Sequence, residues 1–94
     1  MGPRRHQDHE PLFAISVAAN LVSMEIQNLR AYEKYGLVSP ARTAGGTRLY
    51  SEHDLARLRR IRILLAEGLN LAGISRVMAL EDERDDEKRS RSKE

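Results

Sequence analysis

His6 and His9, three residues apart, are the first side chains in this sequence able to hold a metal ion. They lie in a polar, unstructured arm that cannot fix the three or four protein donors a stable site uses, so no metal is predicted. Cysteine is absent, which excludes disulfides, thiolate metal sites and a cysteine nucleophile. No Ser-His-Asp or paired-carboxylate arrangement emerges, and the short elements leave no room for a deep pocket. The sequence therefore reads as a non-enzyme without a cofactor. Gly45-Gly46 is not a phosphate cradle, because that motif needs a helix directly behind it and the strand-like Thr47–Tyr50 follows instead. Basic side chains are the plentiful chemistry, with Arg57, Arg59, Arg60 and Arg62 crowded into one segment. Helical periodicity spreads these four over different sides, so they read as a solvated face with arginine stems lying over apolar surface.

The elements that position such groups are limited by composition. Leu, Ile, Val and Phe account for 22 of 94 residues, enough for one small core and little more. Residues 12–80 hold nine Lys/Arg against five acids, leaving +4, whereas residues 81–94 hold five against seven, leaving −2. The foldable part is thus basic and suggests an anionic partner. Residues 1–11 are polar, contain two prolines and read as a disordered arm. Residues 81–94 contain no apolar residue and place Glu81 and Asp85, and Glu83 and Glu87, at like-charge helical spacing, which predicts a disordered tail. No window approaches the ~20 apolar residues of a membrane span, and the N-terminus lacks the apolar run of a signal peptide. The sequence reads as cytoplasmic.

Within residues 12–80 the punctuation is legible. Phe13 and Ile15 suggest a short extended piece, with Ser16 as an N-cap for a two-turn helix reaching about Val22. Ser23-Met24 breaks that pattern. Ile26, Leu29 and Tyr32 then recur at helical spacing, and Gly36 stands where a left-handed C′ residue belongs. The β-prone pieces on either side of Gly45-Gly46 read as a hairpin. Ser51 and Asp54 form a shortened capping box ahead of a helix with Leu55, Leu58, Ile61 and Leu65 as its apolar stripe, widened by Leu64. Asn70 caps a last short helix carrying Leu71, Ile74, Val77 and Met78. The fold class expected is mainly α: a winged helix-turn-helix, with a two-stranded wing and two further helices.

Several ordered segments resemble one family. Leu29-Arg30-Ala31-Tyr32-Glu33-Lys34-Tyr35-Gly36-Leu37-Val38, Thr47-Arg48-Leu49-Tyr50-Ser51 with Asp54-Leu55, and Gly68-Leu69-Asn70-Leu71-Ala72-Gly73-Ile74 are similar to signatures of the MerR-type transcription regulators. Ile15–Ala19 and Asn70–Ile74 lean toward the heat-shock repressor branch called HspR. The resemblance covers about residues 13–80. It implies a winged helix-turn-helix DNA-binding domain whose second helix enters the major groove of double-stranded DNA while the wing touches the backbone.

On that resemblance, Gln27, Asn28 and Arg30 are the base readers. Amide side chains pair bidentately with adenine, and arginine does so with guanine. Tyr32, Arg42, Arg48 and Tyr50 are the phosphate and wing candidates, which would fix register without carrying sequence information; Tyr32 and Tyr50 read equally well as core rings. The chain departs from the family at Glu25, where small polar or basic residues are usual, at Val22-Ser23, which replaces a pair usually ending in glycine, and at Ala31, which replaces an aromatic or Thr. It also shows no apolar seam beyond residue 80 for the long helix through which relatives pair.

The function implied is a sequence-specific transcriptional regulator, a repressor of the HspR type in the bacterial cytoplasm and on the nucleoid. It would work as a homodimer or as side-by-side copies, with the chaperone DnaK as co-repressor. Two alternatives use the same fold: a protein-interaction winged helix acting on another regulator, and an excisionase-like or architectural DNA binder.

Overall fold

Three helix ends in the computed structural model, which describes residues 8–92, close in the same way. After α1 (Ile15–Val22), Met24 N–H donates to Ala19 C=O at 3.0 Å and Ser23 N–H to Asn20 C=O at 3.2 Å. After α2 (Ile26–Lys34), Leu37 N–H donates to Tyr32 C=O and Gly36 N–H to Glu33 C=O, both at 2.9 Å. After α3 (Glu52–Ala66), Leu69 and Gly68 repeat the pattern onto Leu64 and Leu65. This paired closure satisfies carbonyls that the helix leaves orphaned, and it places one residue in the left-handed region. Glycine fills that place at Gly36 (φ 81°) and Gly68 (φ 96°), but Ser23 fills it after α1 at φ 57°.

The tight turn between α1 and α2 is therefore made without glycine and carries the steric cost of a β-carbon there. Ser23→Gly is expected to stabilise the chain by about 0.5–1 kcal/mol. An upward shift of the denaturant midpoint checks this; an unchanged or lower midpoint contradicts it.

Two starting points differ from expectation. α1 begins at Ile15 with Ala14 as its N-cap, and no side chain caps it, so Ser16 lies inside the helix. The wing is also wider than a hairpin. β1 (Phe13–Ala14), β2 (Ala41–Arg42) and β3 (Arg48–Tyr50) form one antiparallel sheet in the order β1-β3-β2. Phe13 pairs with Tyr50, and Ala41 with Leu49. Leu12 N–H extends the first ladder to Tyr50 C=O at 3.1 Å. The expected two-stranded wing therefore has a third strand, because the extended residues ahead of α1 satisfy the otherwise open edge of β3.

The turn joining β2 and β3 is closed by Thr43 N–H to Thr47 C=O and Gly46 N–H to Thr43 C=O, both 2.9 Å. Gly46 supplies the positive φ there, at 89°. The capping box at the start of α3 is as expected: Ser51 Oγ accepts from Asp54 N–H at 3.1 Å, and Asp54 Oδ2 accepts from Ser51 N–H at 2.9 Å.

The chain divides into two compact units, Met1–Arg62 and Ile63–Glu94. In the first, Ala18, Val22, Leu29, Val38, Tyr50, Leu55, Leu58 and Ile61 are buried. In the second, Leu64, Ile74 and Met78 are buried and Leu65 is exposed, so the stripe on α3 runs through Leu64 and not Leu65.

The last helix, α4 (Leu71–Ser92), corrects the expectation of a disordered tail after residue 80. Asn70 Oδ1 caps it by accepting from Gly73 N–H at 2.9 Å. Once a helix is anchored by Ile74 and Met78, each added residue needs no new nucleus. Opposite charges three residues apart, Glu81 with Arg84 and Arg84 with Glu87, offset the like-charge pairs. Residues 1–7 of the expected N-terminal arm lie outside the described residues.

Candidate nucleic-acid interface

The nine residues of α2 are too few for a helix that is stable by itself. Burial of Leu29 (0 % exposed) and Tyr32 (5 % exposed) anchors it to the first unit. That leaves Gln27, Asn28 and Arg30 exposed on α2. By helix periodicity Gln27, Ala31 and Lys34 lie most nearly opposite Leu29, with Asn28 and Arg30 on the two flanks. Lys34, also exposed, joins the candidate surface although the sequence reading passed over it; its i+7 spacing from Gln27 was the available signal. Glu25, the N-cap of α2, makes no side-chain capping bond.

The wing cations are brought onto the same helix by a residue the sequence reading did not single out. Glu33, in the last turn of α2, accepts from Arg48 Nε at 2.5 Å and from Arg42 Nη2 at 3.1 Å. Arg42 also donates through Nη1 to Gly46 C=O at 3.0 Å, tying down the wing turn. Partial burial by itself would raise the Glu33 carboxyl, but the hydrogen bonds from Arg48 and Arg42 outweigh it and hold the group below the usual carboxylate range. No sequence pattern pointed to this pairing, since Glu33 lies nine residues from Arg42 and fifteen from Arg48.

Of the two readings open for the tyrosines, burial favours the core. Tyr32 is largely buried, and burial raises its phenol above the ordinary value. Tyr50 is 0 % exposed, its hydroxyl has no hydrogen-bond partner among the described residues, and burial pushes its phenol up, with the Glu33 carboxylate adding to the rise. A hydroxyl enclosed in this way cannot meet a phosphate, so Tyr50 is a core residue and leaves the candidate list. Its ring fits the core because β3 turns that face inward, at a position paired with Phe13. Removing a buried, unpaired hydroxyl removes a desolvation cost. Tyr50→Phe is expected to raise stability by about 1 kcal/mol and leave nucleic-acid affinity unchanged. Chemical unfolding and a binding titration check the two halves, and a loss of affinity would restore Tyr50 as a phosphate contact.

The crowded arginines of α3 also have more definite places than a solvated face. Arg57 Nε donates to Leu37 C=O at 2.7 Å, and Arg62 Nη1 to Val22 C=O at 2.8 Å. Each satisfies a carbonyl just beyond or at the end of one of the two short helices, so Arg62 braces the turn between them. A cleft of about 340 Å³ is lined by residues including His9, Ser39, His53, Asp54 and Arg57. None of Gln27, Asn28, Arg30, Arg42 or Arg48 lines it. The buried Asp54 carboxylate there serves the capping box. His9 has its ring 4.4 Å from that of His53; His6 lies outside the described residues. Among the described residues, no group of three or more His, Asp or Glu side chains is placed to hold a metal ion, and no helix is long and apolar enough to cross a membrane.

Comparison with known proteins places this arrangement in a wider group. The MerR HTH family of regulatory proteins matches residues 13–81. The heat shock protein HspR of Streptomyces coelicolor is 46% identical over 89 residues, covering 88% of this chain and 59% of that protein. The HTH-type transcriptional regulator GlnR of Bacillus anthracis is 42% identical over 72 residues, 77% of this chain and 56% of its own length. The chain thus spans between one half and two thirds of these relatives. Among solved structures, HiNmlR, a MerR family regulator lacking the sensor domain and bound to promoter DNA, superposes with a TM-score of 0.71 at 28% identity, over 79% of this chain and 57% of that one.

Proposed function

We propose that this chain, which belongs to the MerR helix-turn-helix family of regulatory proteins, binds double-stranded DNA sequence-specifically and represses transcription in the manner of an HspR-type regulator. The observation that carries the reading is that α2 exposes Gln27, Asn28 and Arg30 while Glu33 of the same helix holds the wing arginines. Gln27, Asn28 and Arg30 read base edges. Arg48, with Arg42 and the rim of Tyr32, faces phosphates. The net charge of residues 12–80 favours a polyanion. The homologues are transcriptional regulators, which supports a non-enzymatic role. The chain acts in the cytoplasm, on the nucleoid.

One module of this size buries about 600–1,000 Å² on DNA, so selective repression calls for two copies on an operator, as a homodimer or side by side. A chaperone co-repressor of the DnaK type is the further partner implied by the HspR resemblance. Selection of preferred sites from random duplexes, followed by titration of selected and scrambled DNA at two salt concentrations, tests the reading. Selective binding with half-sites in a fixed arrangement is expected. Binding without preference would favour an architectural role, and no binding a protein-interaction module, the reading to which the exposed Glu25 at the start of α2 lends support.

A further inference from the structure

Arg42 and Arg48 both reach Glu33, but they do not do so equivalently. Arg42 uses both terminal nitrogens within the protein, Nη2 on Glu33 and Nη1 on Gly46 C=O. Arg48 uses only Nε, and its two terminal nitrogens, with four of the five guanidinium hydrogens, have no partner among the described residues. Its side chain is 25% exposed and that of Glu33 22%, so the pair is half-sheltered and not a mobile surface contact.

We propose that Glu33 is a positioning residue for DNA recognition: it fixes Arg48 through Nε so that the two terminal nitrogens form a ready fork for one phosphate, and it clamps Arg42 so that the wing moves in register with α2. This rests on the DNA-binding reading above. A planar guanidinium held at one edge presents its other edge in a defined direction, which suits bidentate contact with phosphate oxygens. The arrangement also ranks the two wing cations. Arg48 is the phosphate contact, and Arg42 is the strut. Held below the usual carboxylate range by the two arginines, Glu33 stays charged, as the clamp requires.

The sign of one measurement separates this role from its rival. Glu33→Ala deletes a negative charge from a surface that would face a polyanion, so charge alone would tighten binding. A positioning role gives the opposite result: binding weakens about two- to tenfold, the cost of ordering one long side chain anew. Glu33→Gln, which keeps one acceptor, recovers part of the loss. In an Arg48→Ala background, Glu33→Ala costs little further affinity. Equal or tighter binding by Glu33→Ala, or an undiminished loss in the Arg48→Ala background, overturns the proposal.

A second measurement uses the unaltered chain and is independent of how the variants fold. The arginine side-chain Nε–Hε resonance of Arg48 should stay protected from exchange when the selected duplex is added, and its disappearance overturns the clamp. If the unaltered chain binds no duplex at low salt, the DNA reading fails and this role fails with it. If it binds and Glu33→Ala binds more tightly, only the role of Glu33 fails.

Discussion

Leu29→Ala is expected to lower the unfolding free energy by about 2–5 kcal/mol, the range for truncating a fully buried leucine that leaves a cavity. Leu29 is 0 % exposed at the middle of α2, a helix too short to persist without its contacts. Small domains have a total stability near the low end of about 5–15 kcal/mol, so the loss is a large share of the whole. The melting temperature should fall by roughly 10 °C or more, taking about 4–8 °C per kcal/mol for a domain of this size. Arg30→Ala, one residue on but exposed, should stay within about 0.5 kcal/mol of the parent. Thermal melts of the two variants side by side make the test. A Leu29→Ala variant melting within a few degrees of the parent would mean that α2 is not held by this side chain.

The second large effect is on DNA selectivity. Arg30→Ala should cost about 1–3 kcal/mol on a selected duplex, or roughly 5- to 150-fold, and relax the preference at one base pair. On scrambled DNA it should cost much less, as the loss of one cation. Arg48→Ala should weaken binding to all sequences alike and reduce the salt slope by about one unit. The contrast arises because a guanidinium on the exposed side of α2 can reach base edges, whereas one seated on β3 and tied to Glu33 meets the backbone. Competition titrations with selected and scrambled duplexes at two salt concentrations read both effects. Equal losses for Arg30→Ala on every duplex would remove it from the base readers.

Local chemistry accounts for the parts of this architecture that the sequence made legible. Ser51 and Asp54 announce a helix start because their reciprocal bonds span only three residues. Gly36 announces a helix end, and the β2–β3 turn needs its glycine at Gly46, because a positive φ is a property of one residue. The parts that escaped depend on distant partners. β1 completes the sheet by pairing Phe13 with Tyr50, and no periodicity in two residues can declare that. Tyr50 looked equally suited to phosphate and core until the sheet turned it inward. Arg57 and Arg62 lie 20 and 40 residues from the carbonyls they satisfy, so their spacing along α3 suggested only a solvated face. The extension of α4 past Leu80 is not legible because the residues beyond it carry no apolar pattern, and the helix there continues from the anchored turns before it.

The same reasoning covers the candidate surface. Gln27, Asn28 and Arg30 were identified through a resemblance, and the structure adds that all three are exposed on a helix anchored by Leu29. The Glu33 clamp was invisible because charge patterning within one helix says nothing of a carboxylate that serves another element.

The pairing of Phe13 with Tyr50 also bears on how the chain is made. Those two residues are 37 positions apart, which at about 5–20 residues per second separates their appearance during synthesis by roughly 2–7 s. Throughout that interval the nascent β1 has no strand to join, and Leu12 and Phe13 are left without the ladder that later occupies them. Such an unpaired edge is a place where neighbouring nascent chains can associate. Slow decoding soon after the codon for Tyr50, while Phe13 lies outside the ribosome and Tyr50 is still within its tunnel, should therefore lower the soluble yield more than equal slowing between the codons for Phe13 and Tyr50.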